Sequence, residues 1–120
     1  LGLLDSDAYA RLERSSARLV AGMHIQAERV GVPVYIPRVG SMVGLFFTQY
    51  PGQTVADYDQ ARKCRTDRFG AFFNAMLDRG VMLAPSMFEA LFVSLAHDDQ
   101  AIDATIEASG HAFTAASRIA

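Results

Sequence analysis

The residue whose type and setting most invite chemistry is Glu89. It stands in Leu83-Ala84-Pro85-Ser86-Met87-Phe88-Glu89-Ala90, which runs on through Leu91-Phe92-Val93-Ser94-Leu95-Ala96-His97. One carboxylate sits among apolar side chains, just after a bend set by Pro85 and Ser86. An ionised carboxylate is costly to bury in such company unless a charge or a hydrogen-bond donor meets it. A placed functional group fits that setting; so does a glutamate at a strand entrance turned to water. Ser86 beside this carboxylate and Ser41 in Gly40-Ser41-Met42 are weaker candidates, because a turn hydroxyl most simply satisfies nearby backbone groups.

The other reactive side chains offer less. Lys63, the only lysine, and Cys64, the only cysteine, have no histidine or acid at an activating spacing, which argues against a nucleophile. His24 falls off the apolar stripe of its helix and reads as exposed. His97 and His111 stand fourteen residues apart with no cysteine or carboxylate pattern joining them, so no metal site is expected. Asp98 and Asp99 read as a helix cap, where a helix start favours negative charge. A phosphate cradle at Gly40 to Gly44 lacks the strand, glycine loop and helix order that such sites use.

The elements that must position these groups follow from periodicity. From residue 6 to about 30, Tyr9, Leu12, Ser16, Leu19, Val20, Met23, Ala27 and Val30 form one helical stripe, closed by Gly31 and Pro33. Asp5 or Ser6 can cap this helix, and Asp7 with Arg11 makes a surface pair. Residues 34–38 and 42–48 predict a hairpin turning at Gly40-Ser41, with Pro33 and Pro37 making the first strand an edge. The second strand is apolar on both faces, so both should be covered. Residues 49–66 are irregular, with at most a short helix over 55–64. Thr66 then caps a helix whose stripe is Phe69, Phe72, Phe73, Met76 and Leu77 and which Gly80 stops. Short strands are expected at 81–84 and 91–96. The last helix puts Ile102, Ile106, Ser109, Phe113 and Ala116 on one face. The predicted whole is an α+β, two-layer domain: a small, mostly antiparallel sheet with helices on one face.

At 120 residues the chain is expected to be one domain, able to bury roughly two thirds of its unfolded surface. A net charge of −2 offers no basic face to nucleic acid or an anionic membrane. A single cysteine excludes an internal disulfide and suits a reducing compartment. No run approaches the roughly 18 apolar residues of a membrane span, and Leu1-Gly2-Leu3-Leu4 is too short and uncharged for a signal peptide. The start at leucine and the 51% hydrophobic content suggest a fragment, part of whose apolar surface packs against further polypeptide.

Two blocks carry a resemblance. LAPSMFEA followed by FVSLAH, and GSM-x-x-x-FF over residues 40–47, occur in order with helix-like sequence between them. They resemble the C-terminal part of the glutamate-1-semialdehyde aminomutases, a family within the class III pyridoxal-phosphate aminotransferases, and the similarity extends over essentially all 120 residues. The resemblance implies the small C-terminal domain of a fold-type I pyridoxal enzyme. It implies that the Schiff-base lysine and phosphate cup lie upstream, with no cofactor lysine in this chain, which alone would be inactive. It also implies a cytoplasmic homodimer acting on a small molecule in tetrapyrrole synthesis, with pyridoxal 5'-phosphate as cofactor. Glu89 matches the family's active-site glutamate in SxFEA. Ordinary class III transaminases carry an arginine near this place, and an anion there would disfavour a second substrate carboxylate and favour an amine. Two other readings stay open. A class III ω-aminotransferase would need a carboxylate-binding arginine, for which Arg38 is the one beside a signature block. A stand-alone α+β interaction module would present Phe46-Phe47 to a partner.

Overall fold

A computed structural model describes residues 6–39, 42–81, 91–92 and 99–119. The element order is α1 (Ser6–Val30), β1 (Val34–Tyr35), β2 (Arg38–Val39), β3 (Met42–Val43), β4 (Phe46–Phe47), α2 (Tyr58–Arg62), α3 (Thr66–Asp78), β5 (Leu91–Phe92) and α4 (Asp99–Ser117). The fold is the expected α+β layering of a short antiparallel sheet against helices.

The expected hairpin is present in one unbroken register. Val34 faces Phe47, Tyr35 faces Phe46, Arg38 faces Val43 and Val39 faces Met42. Thr48 and Gly44 donate their N–H groups to the carbonyls of Pro33 (3.1 Å) and Pro37 (2.9 Å), filling in the same ladder. These prolines therefore occupy positions whose nitrogens face the partner strand, and each lacks the N–H that would return the bond. That missing donor is why the ladder reads as two short pairings, β1–β4 and β2–β3, and not as one long one. β5 adds to the far side of β3, antiparallel, with Met42 opposite Phe92 and Val43 opposite Leu91. The strand expected at 81–84 falls, after Val81, outside the described residues, as does 93–96.

One face of the hairpin is core. Val43, Leu45 and Phe47 are all at most 1% exposed. Phe47 meets Phe72 and Phe113 with ring centroids 5.5 and 5.9 Å apart, and Phe72 meets Phe113 at 4.7 Å. These aromatics come from β4, α3 and α4, so burying them joins three elements at once. The opposite face is only half covered: Phe46 stacks on Tyr35 and lies over Gly44 beside Pro37. With Phe47 buried and Phe46 so engaged, Phe46-Phe47 is not the exposed partner surface that a stand-alone interaction module would need.

The helices keep their expected faces with one correction: Leu77, expected on the buried stripe of α3, is 44% exposed, and Phe69, Phe72 and Met76 carry that face. Leu12, Ser16, Leu19, Met23 and Ala27 of α1 are buried, as are Ile102, Ser109, Phe113 and Ala116 of α4. Gly31 (φ +76°) ends α1, its N–H and that of Val32 both bonding to the Ala27 carbonyl; Gly80 (φ +83°) closes α3, its N–H bonding to the Leu77 carbonyl and that of Val81 to the Met76 carbonyl. α4 packs on both α1 and α3. Its approach to α1 is close enough that a Cβ on Gly22 would lie 2.5–2.9 Å from three carbons of Ile106. One capping expectation needs correction. Thr66 is the first residue of α3, not its cap; Arg65 takes the cap position without a capping hydrogen bond, and Asp67 accepts the Arg68 N–H instead. Asp99 is the first residue of α4 and pairs with Arg18 of α1, which also reaches Asp103, while Asp98, the other expected cap, lies outside the described residues. The short helix in the irregular stretch is α2, capped by Asp57 accepting the Gln60 N–H.

Candidate functional site

The sequence-predicted site residues Glu89, Ser86 and Ser41 lie outside the described residues, as do His97 and Asp98. The strands that flank them are described. β3 begins one residue after Ser41, and β5 begins two residues after Glu89. Since Gly44 turns its N–H to Pro37, its neighbour Val43 turns its own backbone groups the other way, toward Leu91. The two distinctive sequence blocks, well separated along the chain, thus contribute adjacent strands of one sheet. Val43 is fully buried at this junction, which ties β5 to the core.

The remaining chemistry-bearing side chains are placed plainly. Lys63 is exposed at the C-terminal cap of α2, and its carbonyl accepts from Gln49 Nε2 (2.8 Å). Cys64 is buried beside it, with its thiol on the Gln60 carbonyl, and burial pushes the thiol pKa up, away from nucleophilic use. Arg38 stands opposite Val43, exposed, and is already engaged within the chain. His111 is exposed, and among the described residues no group of histidine, cysteine and acidic side chains could hold a metal ion. Pyridoxal phosphate asks for a lysine in a protected site and a backbone cup for phosphate. The one lysine here faces solvent at a helix end, so these residues do not by themselves fit the group.

A cleft of about 490 Å³ opens elsewhere, between the last turns of α1, β1 and the loop over residues 51–54. It lies at the open end of the hairpin. Strand rise of roughly 3.3 Å per residue sets it well away from the β3–β5 junction at the turn end. His24 lines it and is half-buried, correcting the expectation of a fully exposed side chain. No sequence pattern pointed to this cleft, because its walls come from three segments that only folding brings together.

Relatives align with the whole chain. It is 46% identical over all 120 residues to a glutamate-1-semialdehyde 2,1-aminomutase of Anaeromyxobacter dehalogenans, covering 27% of that protein. It is 51% identical over 102 residues to glutamate-1-semialdehyde 2,1-aminomutase 2 of Brevibacillus brevis, covering 85% of this chain and 23% of the relative. The chain therefore spans about a quarter of the length of the curated relatives it matches. No family model matches it. Among solved structures, an omega-transaminase from Sphaerobacter thermophilus superposes with a TM-score of 0.75 at 20% identity, over 94% of this chain and 25% of the transaminase. That likeness speaks to fold alone. The PLP internal aldimine form of the Sphingopyxis sp. MTA144 FumI protein gives 0.64 at 30% identity, over 87% of this chain and 22% of that one.

Proposed function

We propose that this chain, which aligns along its whole length with the glutamate-1-semialdehyde aminomutases, is a single domain forming the C-terminal part of such an enzyme. The observation that carries the reading is the 46% identity over all 120 residues. The β3–β5 pairing supports it, since it sets the two signature blocks side by side. The full enzyme would convert (S)-4-amino-5-oxopentanoate to 5-aminolevulinate for tetrapyrrole synthesis, as a cytoplasmic homodimer. Pyridoxal phosphate, held by the rest of the polypeptide, would supply the carrier for the amino group.

Glu89 is the residue of this chain assigned to the active site. A carboxylate in apolar surroundings holds a protonated amine strongly and repels a second carboxylate, because Coulombic terms grow as water is excluded. Its role is to steer the amino groups of the substrate and to disfavour dicarboxylate amino donors. Ser86 and Ser41, one on each signature block, are assigned a supporting, hydrogen-bonding part. The test is an assay of the full-length protein on glutamate-1-semialdehyde without any amino donor. Formation of 5-aminolevulinate is expected; a reaction that proceeds only with an external amine would make the enzyme a transaminase.

A further inference from the structure

The cleft at the open end of the hairpin has the features of a binding site for a small cation, and nothing in the aminomutase reading uses it. Its volume, about 490 Å³, is that of a small-molecule pocket. Its walls are braced by hydrogen bonds. The end of α1 is held by the two amides bonded to the Ala27 carbonyl, β1 is laddered to β4, and the loop is pinned by Gln49 N–H on Gln53 Oε1 (2.8 Å) and Gln53 N–H on Tyr50 O (3.3 Å). Pro33, Pro51 and Tyr35 give it apolar and aromatic surface.

Three features set the sign of charge it would accept. Glu28 stands exposed at the rim of the cleft, and its carboxylate has no hydrogen-bond or ion-pair partner among the described residues. The cleft lies at the C-terminal end of a 25-residue helix, where the backbone dipole is negative. Tyr35 offers an aromatic ring, and cations are drawn to such faces. Among the described residues no lysine or arginine lines the cavity to oppose them. His24, one helical turn before Glu28 on the same side, is also without a side-chain partner there and is free to accept or donate a hydrogen bond. We infer that this cleft binds a small organic ammonium ion: the charged nitrogen at Glu28 and the apolar body against Tyr35, Pro33 and Pro51. The inference does not depend on the aminomutase assignment.

The test is calorimetric titration of the full-length protein with 2-phenylethylammonium and with 2-phenylethanol, its neutral counterpart. The ammonium is expected to bind saturably and about fivefold or more tightly than the alcohol. In Glu28→Gln, a surface change expected to leave the melting curve in place, that preference should vanish. Equal binding of the two probes, no saturable binding, or an undiminished ammonium preference in Glu28→Gln would each overturn the proposal.

Discussion

The two ends of the hairpin are built differently, though one register runs through both. At the open end, Phe47 of β4 sits in an aromatic cluster with Phe72 and Phe113, all at 0% exposure. At the turn end, the exposed β2 residues Arg38 and Val39 (Val39 at 77% exposure) flank β3, and β5 is tied in through the Val43–Leu91 pairing. Pro37 lies between the two, where its missing N–H thins the ladder. Packing is concentrated where the helices meet the sheet, and at the turn end the β3–β5 pairing joins the two signature blocks.

The strongest way to break this comparison is at the scaffold. Phe72→Ala empties the space between Phe47 and Phe113 and is expected to cost about 3–5 kcal/mol in denaturant unfolding. A loss below about 1 kcal/mol would mean the cluster does not anchor the open end. A smaller effect is expected at the helix crossing. Gly22→Ala gains up to about 1 kcal/mol of helix propensity, yet its methyl meets Ile106, whose β-branched side chain cannot easily turn away. Net destabilisation of about 1–2 kcal/mol is expected, and Gly22→Ala with Ile106→Ala should lose less than the two single changes added together. A stabilised Gly22→Ala protein would show the crossing to be looser than described.

The smallest effect concerns the start of α3. The Arg65 guanidinium, 2.8 Å from Asp67, and the Arg68 N–H hold the Asp67 carboxyl below its usual value of 3.8. Because the folded-state pKa is the lower one, this stabilisation is present above pH 3.8 and is lost as pH falls below it through the depressed value. Thermal melts of Asp67→Asn should therefore lie below the native melts at neutral pH and converge with them in acid. Parallel curves at all pH values would remove the ion pair from the account.

Much of this architecture was readable from residue order. Gly31 and Gly80 marked helix ends because each supplies the positive φ that a helix stop uses. Residues 34–48 announced a hairpin, and the observed register leaves Gly40 and Ser41 as the two residues between Val39 and Met42. The caps were less legible: Thr66 has a capping side chain, but Asp67, one residue on, takes the N–H. The Gly22–Ile106 contact and the His24–Glu28 cleft were not legible at all, since helix crossings and cavity walls join residues far apart in the chain. The assignment of Glu89, Ser86 and Ser41 rests on motif and homology, with the β3–β5 ladder as its neighbouring structural support.

Turnover of glutamate-1-semialdehyde by the full-length enzyme carrying Glu89→Gln, measured beside its melting temperature, tests the central claim most directly. The account predicts a kcat lowered by about 10- to 100-fold with the melt unchanged, since the charge is removed and the shape kept. An enzyme that turns over at the native rate without the Glu89 carboxylate would contradict it.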